Sequence, residues 1–152
     1  MGGRAFHLID IENLVGGGRL RPDEVASACK RYLRIALYSS DDLAIAAVGH
    51  SQMSVAAFAL PRQVRLVGAG HGPDAADIAL LRAVDEAVLL RGFGRLSIGS
   101  GDHFFAPLAA RMRESGLVVE VVHPKLGLSR ELAAACTRIS GSMPPVLLRV
   151  AA

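Results

Sequence analysis

Two apolar strands of this chain run out onto a carboxylate. Ala5-Phe6-His7-Leu8-Ile9 is followed by Asp10-Ile11-Glu12-Asn13, and Arg95-Leu96-Ser97-Ile98-Gly99 by Ser100-Gly101-Asp102. Carboxylates at the ends of buried strands point to an acidic site at the carboxyl edge of an α/β sheet. A third acidic element, Gly72-Pro73-Asp74-Ala75-Ala76-Asp77, stands where a helix begins. Asp74 reads equally as an N-cap and as a ligand; as cap, with Asp77 its dipole partner, it is worth about 0.5–1 kcal/mol. Asp77, on the first turn of a helix that must lie on the sheet, can aim into the crevice. Carboxylates gathered there repel, by roughly 3 kcal/mol for two charges about 5 Å apart at an effective dielectric near 20. A hard divalent cation removes that cost, and oxygen-only ligands suit Mg²⁺ or Mn²⁺. Such an ion also activates water and neutralises phosphoryl oxygens, so metal-assisted hydrolysis of a phosphodiester is the chemistry expected.

The elements that must position these groups alternate. Strands are predicted over about 5–9, 43–48, 64–67, 95–99 and 117–122, with helices from Pro22, over 51–60, over 74–90, over 103–114 and over 128–135. Residues 146–150, after Pro144-Pro145, read as an edge strand or a tail. Alternation means right-handed crossovers and a mostly parallel sheet, a three-layer α/β domain covering residues 1–152. In strand order 3-2-1-4-5 the first and fourth strands are neighbours where the winding reverses, so Asp10 and Asp102 face one crevice.

Composition narrows the class. The 152 residues are 51% hydrophobic and 20% charged, enough for one domain with its own core. Apolar runs are all shorter than the roughly 18–20 residues a membrane span needs, and no export signal precedes the first strand. A cytoplasmic protein is expected. The net charge of +3 is spread over scattered arginines, which read as a solvated surface or as a route for phosphates toward the acidic site. Cys29 and Cys136 have no CxxC neighbour and the 5 histidines no HxxxH spacing. Zinc is therefore not expected, and the thiols should be buried and reduced.

Ile9-Asp10-Ile11-Glu12-Asn13-Leu14, then Ala76-Asp77-Ile78-Ala79-Leu80, then Ile98-Gly99-Ser100-Gly101-Asp102 with Phe105-Ala106-Pro107-Leu108 resemble the three signature blocks of NYN domains. These are relatives of the PIN nucleases. The resemblance covers about residues 4–125 and implies a Rossmann-like PIN fold, an RNA substrate and a Mg²⁺ or Mn²⁺ cofactor. It implies that Asp10, Asp77 and Asp102 hold the metal or its waters. Asn13 would contact such a water or a phosphate, and Ser100 would offer its hydroxyl to a phosphate. One position departs from the family: many relatives carry an aspartate two residues after the one matching Asp102, where this chain has Phe104. Glu12, which an extended chain would point to the side opposite Ile11 as it does Asp10, is not counted on as a substitute. Asp74 and His103 complete the candidates, with His71 and Lys125 as looser guesses at the crevice mouth. Tyr32 and Tyr38 are assigned to packing, and an aromatic content of 5% argues against recognition by stacking.

Three readings compete. The first is a metal-dependent endoribonuclease. The second is an RNA-binding or interaction module that has lost catalysis, as Phe104 suggests. The third is a phosphatase of the haloacid dehalogenase type, which also starts with a strand ending in aspartate but fits Asp10-Ile11-Glu12-Asn13 poorly. Oligomeric state, homo-oligomers included, is left open.

Overall fold

Every residue of β1 (Ala5–Asp10) is buried, which a strand achieves only when helices cover both faces of its sheet. A computed structural model describes residues 3–143 and shows that arrangement. The other strands are β2 (Leu43–Ala47), β3 (Val64–Leu66), β4 (Arg95–Gly99), β5 (Val118–Pro124) and β6 (Arg138–Met143). All pair in parallel, in the order 3-2-1-4-5-6. Helices α1 (Ile11–Val15), α2 (Pro22–Ile35) and α3 (Met53–Ala59) contribute to the core on one face. Helices α4 (Ala75–Arg82), α5 (Glu86–Gly92), α6 (Ala106–Glu114) and α7 (Arg130–Ala135) contribute to the core on the other. Both cysteines are free and buried.

The predicted five-strand order holds, and β6 extends it. Arg138-Ile139-Ser140-Gly141-Ser142 carries one aliphatic residue, so hydropathy does not announce a strand. Tertiary packing selects it: a Cβ on Gly141 would sit 2.8 Å from Ile35 Cγ2, so glycine lets this strand pass close to α2. The strand or tail predicted at 146–150 lies outside the described residues. The single helix predicted over 74–90 is two. Asp85 accepts hydrogen bonds from the N–H groups of Ala87 and Val88 and thereby starts α5 anew. The break rotates the second half, so Leu80 and Leu89 are buried while Ile78 and Val88 are 40% and 45% exposed. Short α1 was not predicted either.

A row of polar groups crosses the sheet beneath α2. His7 Nδ1 meets the Tyr32 hydroxyl at 2.9 Å, which in turn lies 2.6 Å from Ser97 Oγ. His7 Nε2 meets Asp42 Oδ2 at 3.0 Å, and Arg95 links Asp42 to Glu120, itself held by Arg138 and Ser140. Burial lowers the pKa of His7 against the opposing pull of Asp42. The unfolded chain therefore binds this proton more readily than the folded one. Stability contributed by neutral His7 is complete above about pH 6.5 and is lost as pH falls below it. The melting temperature of wild type should accordingly drop between pH 7 and 5 more steeply than that of His7→Gln; equal slopes would discard this account.

Candidate active site

Side-chain parity sends Asp10 to one face. Phe6 and Leu8 belong to the core beneath α4–α7, and Asp10, next in the period of two, follows them. It faces Asp77, on the first turn of α4, in one cleft, where each carboxyl acts on the titration of the other. Burial raises the pKa of Asp10 above the usual carboxylate range, and the Asp102 charge adds to it. Burial, then Asp10, push Asp77 up to about 8, with Asp102 and Asp74 contributing. The pair is one titrating unit that retains a proton where free carboxylates would not.

Parallel pairing of Ile9 with Gly99 sets the β4 end beside Asp10. Ser100 Oγ donates to Asp10 Oδ2 and accepts from the Asp102 N–H, both at 3.1 Å. Ser100 is fully buried, and its hydroxyl ties the two strand ends together; it does not reach the cleft lining. Asn13 Oδ1 accepts from the Gly101 N–H at 2.9 Å, and the Asn13 N–H donates to Asp10 Oδ1 at 3.3 Å. Its carbonyl oxygen is thus committed to the β4 loop. Asp102 caps the short 3₁₀ turn His103–Phe105, its Oδ1 accepting from Phe104 N–H at 2.9 Å and lying 3.3 Å from His103 Nδ1.

Asp10, Asp77, Asp102, Asp74, Glu12 and Asn13 all line one cleft of about 490 Å³. Asp74 occupies the N-cap position of α4 with φ +60° and makes no side-chain cap bond, so the capping role is not realised. Glu12 is the residue that sequence reasoning undervalued. The chain is not extended there: α1 begins at Ile11, and Glu12 accepts a hydrogen bond from the Gly49 N–H. An acid beside a strand-end aspartate, just before a glycine-terminated helical turn, was the signal. His103 is exposed at the rim. His71 and Lys125 do not line the cleft, although their neighbours Gly72, Pro124 and Leu126 do.

The floor is tightly closed around Gly101. A Cβ there would stand 2.1 Å from the Gly127 carbonyl oxygen, and the Gly101 carbonyl accepts from Ser129 N–H at 2.8 Å. Gly101→Ala must push the 126–128 loop away and should cost about 3 kcal/mol, read by urea denaturation. A loss below about 0.5 kcal/mol would mean that the loop yields freely.

The donor set suits a hard divalent cation in kind: every side chain is an oxygen donor, and two buried carboxyls already share the cleft. No three His, Cys, Asp or Glu side chains among the described residues stand in a ready ligand shell. Asp10 and Asp77 form the pair, while Asp102 is turned to its own turn amide and to His103.

Sheet order, helices on both faces and an acidic cleft at the switch point define a doubly wound α/β protein. The NYN domain model matches residues 5–142, nearly the whole sequence, and the chain belongs to that family. Family membership is consistent with a ribonuclease or RNA-binding role. A solved structure of a protein of unknown function, VPA0982 from Vibrio parahaemolyticus, is similar at a TM-score of 0.58 and 13% identity, covering 94% of each chain; at that identity the likeness is one of fold. No functionally curated protein matches the chain.

Proposed function

We propose that this protein is a metal-dependent ribonuclease that hydrolyses phosphodiesters of RNA in the Asp10–Asp77–Asp102 cleft. One observation carries the reading: two buried carboxyls from distant segments, Asp10 and Asp77, come together in one open cleft. A fold tolerates that repulsion where a cation is meant to replace the proton. Asp10 and Asp77, joined by Asp102, would hold Mg²⁺ or Mn²⁺. Once bound, such an ion supplies Lewis-acid stabilisation of phosphoryl charge and activates water. The chain's own residues orient. Ser100 and the Asn13 N–H fix the two oxygens of Asp10, and Asn13 holds the Gly101 amide. The Gly49 N–H aims Glu12 into the cleft as a further acceptor, and Asp74 adds negative charge at the mouth. Buried reduced thiols accord with a cytoplasmic enzyme. Incubating the protein with RNA and Mn²⁺ or Mg²⁺ should give cleavage that excess chelator stops; identical cleavage in chelator would remove the metal from the account.

A second reading, RNA binding without turnover, is favoured by Phe104. Its side chain is partly buried against the core beneath α6, where many relatives place an acid. Phe104→Asp should raise turnover about tenfold if the missing carboxylate limits the rate, a modest gain for one added ligand. Salt-sensitive RNA binding with no turnover in any metal would favour the second reading. The family match speaks against the phosphatase alternative.

A further inference from the structure

The acidic cleft offers phosphate chemistry but no surface for a base: among the described residues no aromatic or imidazole ring lines it. A second hollow of about 470 Å³ adjoins it, and Ala75 lines both. His71, Ile78 and Arg82 form much of its wall. At its edge the imidazoles of His50 and His71 lie against each other, with ring centroids 4.1 Å apart and planes inclined by 42°. His50 opens a 3₁₀ turn after β2, His71 lies in the segment after β3, and both residues are exposed. Each is joined by one peptide bond to a residue of the acidic cleft, Gly49 and Gly72. Arg82 is exposed and has no carboxylate partner among the described residues.

We propose that this hollow is a nucleotide subsite beside the point of cleavage, where an unpaired base of single-stranded RNA stacks on the His50–His71 pair and the adjoining phosphate meets Arg82. The proposal rests on the reading of the acidic cleft as the place where RNA is cut. Its chemistry is general: splayed bases stack on aromatic rings, histidine included, and a free guanidinium binds phosphate through its fork of donors. Ile78, 40% exposed, supplies an apolar wall for a base edge. A base held in a duplex has no free face to offer, so the substrate class is single-stranded RNA. The small count of Phe, Tyr and Trp had argued against stacking, but that count omits histidine.

The test is anisotropy with a short fluorescent oligouridylate and the full chain in chelator, so that no cutting intervenes. His50→Ala/His71→Ala should bind roughly 5- to 100-fold more weakly, the range for removing one stacking platform. Arg82→Ala should also weaken binding and flatten its salt dependence. Arg91→Ala, on α5 outside both hollows, should bind as wild type does. With Mn²⁺ present, the histidine variant should raise KM and leave kcat little changed. Wild-type affinity in both the histidine and Arg82 variants overturns the subsite, as does a wild type that binds no RNA. Binding that depends on these residues without any cleavage upholds the subsite and removes the nuclease reading alone.

Discussion

Asp10→Asn should abolish metal-dependent RNA cleavage, lowering kcat by about 10³-fold or more, because it removes one of two neighbouring ligands whose joint charge would hold the ion. The substitution is nearly isosteric. Its carbonyl oxygen can still accept from the Asn13 N–H or the Ser100 hydroxyl, the two groups that fix Asp10. The fold should therefore persist, which urea denaturation checks alongside the assay. Asp102→Asn should lose activity as well, since it preserves the bond from Phe104 N–H and removes only charge. Activity within tenfold of wild type in the Asp10 variant would mean that the cleft is not where RNA is cut.

Asp77→Asn should make the metal-free protein more stable at alkaline pH. The sign follows from the direction of the shift. Asp77 has its pKa raised from 3.8 to about 8, by burial first and by Asp10 next, so the folded state binds the proton more tightly than the unfolded chain. Stability from that proton is complete below the unfolded value near 4 and is lost as pH rises through about 8. Wild type without metal should weaken across that window, and the amide variant should not. Because the pair titrates as a unit and faces an open cleft, the gain at pH 8 should be about 2 kcal/mol, a fraction of the full shift. For a domain of this size that is roughly 4–8 °C in melting temperature. Saturating Mn²⁺ should stabilise wild type by a comparable amount, near 2.7 kcal/mol at a hundred times Kd, and the variant far less. If the ion shifts both proteins equally, it binds elsewhere.

These two windows run in opposite directions and come from separate parts of the molecule. His7 lies under α2, within the polar row, and weakens the fold as pH falls. The Asp10–Asp77 pair lies at the strand ends and weakens it as pH rises. A maximum of stability between them is the expected profile for protein without metal.

Strand identities, the switch point and the three aspartates were legible because each rests on local chemistry. A buried strand needs a continuous apolar run, and a carboxylate closing that run stands out against it. The side-chain period of two then turns Asp10 toward α4 without any further information. Other features depended on contacts that hydropathy does not encode. β6 is a strand because Ser140 meets Glu120 of the neighbouring β5 and Gly141 clears Ile35, not because its residues favour a strand. The break at Asp85 pits one cap against an unbroken apolar periodicity, and the cap wins because it supplies partners for two otherwise unmatched amides.

The amino-acid order alone indicated which carboxylates share one cleft, since parallel pairing and right-handed crossovers leave few other arrangements. Only the folded molecule decided what each polar neighbour does. Ser100 and Asn13 tie the strand ends together because packing left their acceptors facing backbone amides. Glu12 is held in the cleft by the amide of Gly49, a residue distant in the sequence. His50 and His71 were brought ring to ring by a 3₁₀ turn after β2 and the segment after β3, whose courses depend on the sheet. A side chain's type is written in the sequence, but its direction is a property of everything packed around it.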